Sequence, residues 1–142
     1  MTTIIGALRD YILSFDRIDD DKPVWVQYLD AFPVSYSVMP MAGQRVIKEY
    51  LSGSSLREYS FAFRTAMSTA DDLERLENLG FYEEFADWVE MKSRTGELPD
   101  LGPGKEAVEM ETTGWGYLFE EGVSDTGIYQ IQCRLEYYQA KE

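Results

Sequence analysis

Leu56-Arg-Glu-Tyr-Ser-Phe-Ala-Phe-Arg-Thr-Ala-Met67 places Tyr59, Phe61, Phe63, Thr65 and Met67 on one side of an extended chain and Glu58, Ser60, Ala62, Arg64 and Ala66 on the other. Successive side chains leave a pleated backbone on opposite sides, so alternation held this long predicts a strand with one core-seeking face. A second stretch, Gly127-Ile-Tyr-Gln-Ile-Gln-Cys-Arg-Leu-Glu-Tyr-Tyr138, repeats the pattern. It sets Tyr129, Ile131, Cys133, Leu135 and Tyr137 against Gln130, Gln132, Arg134 and Glu136, and predicts a long strand near the middle of a sheet. Each strand then has a polar second face, and the functional question is whether that face looks at water, a substrate or another protein.

Outward from these strands the periodicity changes. Ile4, Ile5, Leu8, Tyr11, Ile12 and Phe15 recur at three- and four-residue spacing, which predicts an amphipathic helix over residues 2–15. An acidic break at Asp19-Asp20-Asp21 and Pro23 leads into "VWVQYL" (24–29) and "PVSYSVMP" (33–40), rich in β-branched and aromatic residues and expected to be short strands. "QRVIKEYL" (44–51) is joined to the opening stretch by Ser52-Gly53-Ser54-Ser55, a turn with a glycine able to take positive φ. After Met67, Ser68 or Thr69 stands three residues before Asp71 or Asp72, a helix start that also suits the dipole. Asn78-Leu79-Gly80 is expected to divide this helical segment into a short and a longer piece. Phe81, Phe85, Trp88 and Val89 form its buried face, and Gly96 and Pro99 stop it. "LGPG" (101–104) turns into the strand "EAVEMETT" (106–113), and "GWGYLFEEGVSDTG" (114–127) is either a hairpin tip or a projecting loop. The sum is one α+β domain over residues 1–142. Its antiparallel or mixed sheet has about five or six strands, and the N-terminal helix and the central helical segment pack on one face.

Composition narrows the function. The chain of 142 residues is 44% hydrophobic and 14% aromatic, which suits one folded domain and is incompatible with disorder. Thirteen Lys plus Arg against 26 Asp plus Glu give a formal net charge of −13, a surface that repels phosphate and disfavours nucleic-acid and anionic-membrane roles. Histidine is absent, which removes the commonest acid–base catalyst near neutral pH. Cys133 is the single cysteine and can form neither an internal disulfide nor a zinc site; with no signal-like N-terminus, a reducing cytosol is expected.

The candidate motifs fail one by one. A phosphate loop around Gly104-Lys105 would need a glycine where Pro99 stands and a hydroxyl where Glu106 stands. Ser54 and Ser55 have no histidine to activate them. Asp19 and Asp21 share the first spacing of a calcium loop, but Pro23 and Val24 occupy the next ligand and the glycine positions. Glu83-Glu84, Glu120-Glu121 or Glu109 with Glu111 provide the two carboxylates of a glycoside hydrolase only in the sense that any acidic chain does. The expectation is therefore no catalytic residue, no cofactor and no metal. Trp115, Tyr117 and Phe119 are either core residues beside a strand or anchors of a protein interface, with ligand stacking a third role.

The order of elements carries a resemblance: an amphipathic first helix, "EYLSGSSLREYSFAF", "DDLERLENLGFYEEFADWVE", "LPDLG", and a terminal strand "GIYQIQCRLEYY". From about Val34 to Tyr138 the chain resembles the small minor-capsid or tail-completion proteins of long-tailed bacteriophages, the group related to tail terminators. That resemblance implies an α+β domain with helices on an antiparallel sheet and no catalytic residues. It also implies six-fold rings where the tail tube meets the head, with tail-tube and head-connector proteins as partners, in the virion and, during assembly, in the host cytoplasm. An acidic ring would repel the genome passing through it, which fits the charge balance. Glu58, Ser60, Arg64, Trp115, Tyr117 and Phe119 are then the expected interface residues. The competing readings are a monomeric cytosolic adaptor gripping one partner with its aromatic loop and, third, a carboxylate-based hydrolase.

Overall fold

A computed structural model of the chain describes residues 3–19, 22–30, 33–122 and 124–141. Thr2 and the Asp20-Asp21 part of the acidic break lie outside them. Helix α1 spans Ile4–Leu13; the Thr3 hydroxyl caps it by accepting from the Gly6 N–H at 3.1 Å. The strands are β1 (Val24–Val26), β2 (Ser35–Pro40), β3 (Val46–Glu49), β4 (Ser55–Ser68), β5 (Lys105–Thr112), β6 (Tyr117–Glu121) and β7 (Thr126–Gln139), with helix α2 (Asp72–Thr95) between β4 and β5. Among the described residues all seven strands join one mixed sheet, somewhat more than the five or six expected, in which only the β1–β2 pair is parallel.

The two alternating stretches form the sheet's axis. β4 and β7 pair antiparallel residue for residue from Ser55↔Gln139 to Ser68↔Thr126, which sets the apolar side of one against that of the other at Tyr59↔Leu135, Phe61↔Cys133 and Phe63↔Ile131. Each long strand then takes two shorter partners along its outer edge: β2 and β3 on β4, β5 and β6 on β7. The segment 114–127 is thus a hairpin, β6 returning into β7, with Val123 outside the described residues. The β3–β4 turn uses Gly53 at φ 93° as expected.

Both helices lie on the face carrying Phe61 and Phe63. Phe15, just beyond the end of α1, which stops at Leu13 and not at residue 15 as expected, meets Phe81, Phe85 and Trp88 of α2 at ring-centroid distances of 5.6, 5.4 and 5.1 Å, and Phe63 meets Phe85 at 4.9 Å. The core is therefore a three-way aromatic contact between two helices and the sheet. Tyr82, not assigned to the core from sequence, is among its most buried residues, and its hydroxyl meets Thr65 Oγ1 at 2.9 Å and donates to a backbone carbonyl of β4 or β7, Phe63 O or Tyr129 O. Trp88 is only half-buried, at the rim against Tyr11.

The expected break at Asn78-Leu79-Gly80 does not occur; α2 is continuous over 24 residues. Its ends explain why. Asp71 caps the start by accepting from the Glu74 N–H at 2.9 Å, while the Glu74 carboxylate reaches back to the Ser68 hydroxyl and the Ala70 N–H. Lys92 and Arg94 occupy the last turn, and Gly96 at φ 79° closes it. Asn78 spends its side-chain amide on Ser68 O at 2.8 Å instead of competing with the helix backbone. Gly80 costs about 1 kcal/mol against alanine, too little to break a helix anchored at both ends and packed in the middle.

Candidate protein interface

Because cross-strand partners share a face, pairing register places the residues of the second face, which neither helix covers. One row runs across five strands: Trp25 (β1), Ser37 (β2), Arg64 (β4), Gln130 (β7) and Tyr117 (β6). At the usual strand spacing it is about 19 Å wide. Arg64 sits at its centre. Its Nε donates to Gln130 Oε1 at 2.8 Å, and its guanidinium lies 4.4 Å from the centroid of the Phe119 ring. Gln130 is 1% exposed, and its Nε2 donates to the Tyr117 hydroxyl at 2.5 Å, which fixes which end of the amide faces Arg64. Ser37 is fully buried and its hydroxyl has no hydrogen-bond partner among the described residues. Ala62 and Ala66, on the same face, are buried as well; with no helix above them, they are short side chains sunk among longer neighbours.

Three of the six residues expected at an interface, Arg64, Tyr117 and Phe119, are brought together in this constellation. The β6 bulge between Leu118 and Glu120 is what lets Phe119 turn onto the same side as Tyr117. The other three are elsewhere. Glu58 belongs to the far end of the face, where Glu58, Glu136 and Glu109 line up across β4, β7 and β5. Arg134 neutralises part of that row: its Nη1 is 3.2 Å from Glu58 and 3.7 Å from Glu136, and its Nη2 is 2.5 Å from Glu111. Three carboxylates also hold the Arg134 guanidinium in its charged form, against the desolvation that opposes it. Ser60 is approached by the chain's own 41–45 segment, since a Cβ on Gly43 would stand 2.7 Å from its Oγ.

Trp115 lies on neither part of this face. It is 72% exposed and lines an 810 Å³ groove between α2 and the β5 edge, together with Ala86, Val89, Val108 and Met110. The loop presenting it is pinned by Gly116, where any Cβ would come within 2.3 Å of Tyr82 Cβ. Glu109 and Glu111 also line this groove, whereas Glu83, Glu84, Glu120 and Glu121 are exposed, and Glu84 pairs with Arg17. Among the described residues no three acidic or thiol groups converge as metal ligands. No helix described is long and apolar enough to cross a membrane.

Sequence reasoning put Gln130 and Arg134 on the second face but gave them no role. Their parity in the β7 alternation was the available signal; what was missing was the register that sets them beside Arg64 and Glu58. Trp25 likewise became legible only when β1 paired with β2. No protein-family model matches the sequence, and neither does any curated protein.

Proposed function

We propose that this chain is a non-enzymatic assembly protein of the tail-terminator or minor-capsid type, acting at a phage head–tail junction or tail end through ring-forming contacts. The observation that carries the reading is the Arg64–Phe119–Gln130–Tyr117 constellation on a sheet face without a helix. Arginine and large aromatics are the residue types that anchor interfaces, and small residues at the centre of the face let a neighbouring surface approach closely. The net charge of −13 is compatible with a ring lumen that does not retain DNA, and its partners would be copies of itself and tail-tube and head-connector proteins.

The test is sedimentation of the purified chain over a wide concentration range, with and without tail-tube protein. A cyclic oligomer is expected, strengthening from low to moderate salt as repulsion between acidic subunits is screened. Trp115 lies off that face, so Trp115→Ala tests whether the ring also uses the groove: weaker assembly with a nearly unchanged thermal midpoint of the monomer is expected. A specific observation favours a second reading: the Trp115 groove is large enough for a peptide of one partner, as a monomeric adaptor would use. A wild type that stays monomeric throughout selects that reading.

A further inference from the structure

We infer that Arg64 is a preorganised receptor for a single carboxylate, supplied in the assembly by an acidic side chain or the C-terminus of a neighbouring copy; the inference rests on the reading of the open face as an interface. In a chain with 26 acidic residues, Arg9, Arg17, Arg75, Arg94 and Arg134 each have a carboxylate within ion-pair distance. Among the described residues Arg64, like Arg45 and Arg57, has none, and its two terminal nitrogens make no hydrogen bond. The side chain is nevertheless held in place. Phe119 covers one side of the guanidinium plane, and Nε is spent on Gln130, whose buried amide is itself oriented by Tyr117. What remains open is the fork of parallel N–H groups that matches the two oxygens of a carboxylate.

The surrounding groups also select for an acceptor. Tyr117 uses its oxygen to accept from Gln130, so its own O–H is still free to donate. The Ser37 hydroxyl, next in the row, has no hydrogen-bond partner among the described residues, but it is fully buried and is not itself presented to a ligand. The Arg64 fork and the Tyr117 O–H are thus unspent donors side by side, and a carboxylate, which has only acceptor atoms, can take both. The Phe119 ring supplies an apolar wall against the guanidinium, which strengthens a charged hydrogen bond there by excluding water. A monoanionic carboxylate meets less repulsion from the chain's acidic field than a doubly charged phosphate does.

Two measurements separate this inference from the interface reading. In the first, the Arg64 Nε–Hε signal of ¹⁵N-labelled protein is followed while sodium acetate replaces sodium chloride at constant ionic strength. A saturable shift is expected at Arg64 and not at Arg45, which has no carboxylate partner either; in Phe119→Leu the half-point moves to several-fold higher acetate. A linear drift equal to that of Arg45 overturns the inference, whatever the state of assembly. In the second, self-association is measured in glutamate against chloride, and for Arg64→Lys, which keeps the charge but loses the fork. Glutamate and Arg64→Lys are each expected to weaken association about tenfold. If acetate saturates but association ignores both changes, the neighbouring copy is overturned as the source of the carboxylate and the interface reading still stands. If the wild type never associates, the interface reading falls, the neighbouring copy goes with it, and the acetate titration alone decides whether Arg64 is a carboxylate receptor.

Discussion

The two faces of this sheet are made by the same two strands, yet they obey different rules. On the helix side, β4 and β7 contribute Phe61, Phe63, Ile131, Cys133 and Leu135, all buried under two helices and the residues after α1, which supply Leu8, Ile12, Phe15, Phe81, Phe85 and Val89. Position there is decided by packing, and little is left unmet beyond the buried Tyr11 hydroxyl, which has no hydrogen-bond partner among the described residues. On the open side the same strands contribute Arg64, Gln130, Arg134 and Glu58, whose roles are met by hydrogen bonds, a stacked ring and ion pairs, with some capacity left unspent at Arg64 and Ser37. One alternating sequence thus builds a finished surface and an unfinished one, and stability and assembly should respond to different substitutions.

The largest expected effect lies on the finished side. Phe85→Ala removes a fully buried ring that touches Phe15, Phe63 and Trp88, and is expected to cost about 3 to 5 kcal/mol in denaturant unfolding. A loss below about 1 kcal/mol would mean that the helix side tolerates truncation as a surface does, which breaks the comparison.

Alkaline pH sharpens it. Burial raises Tyr82, Cys133 and Tyr11 above their ordinary values of 10, 9 and 10. A buried acid with a raised pKa keeps its proton when folded and loses it when unfolded, so the unfolded state binds fewer protons at high pH. Its stability contribution is full below the ordinary value and declines above it, by about 1.4 kcal/mol per pH unit for each group. Unfolding free energy measured from pH 8 to 11 is expected to bend downward near pH 9 and steepen near pH 10. Cys133→Ala removes the earlier part of the bend; a flat profile would show that these hydroxyls and the thiol are reached by water.

On the open side the effects shrink. Arg134→Met leaves Glu58 facing Glu136 across the β4–β7 pair, with Glu109 beyond, and is expected to cost about 1 kcal/mol, because the charges are partly solvated. The cost should fall with added salt; one that does not is a packing effect of the arginine stem. Trp115→Ala is expected to change stability least, within about 0.5 kcal/mol, while weakening assembly. Assembly that is unchanged in the mutant removes Trp115 from the interface.

Local pattern was enough for much of this. Alternation in residues 56–67 and 127–138 defined two strands and their apolar sides, three- and four-residue spacing defined both helices, and Gly53 and Gly96 marked the turn and the helix end, since each of these depends on residues close in the chain. Charge and the lack of histidine were likewise legible as composition. Tertiary structure decided the rest. It kept α2 whole across Gly80, because anchored ends and a packed face outweigh a small local propensity. It also made Tyr82 a core residue and made 114–127 a hairpin. Above all it chose a register, and register alone brings Trp25, Ser37, Arg64, Gln130 and Tyr117, from five separate strands, into one row. A one-residue slip of any strand would turn its member of that row to the other face, so the candidate site is a property of strand pairing and has no signature in any single segment.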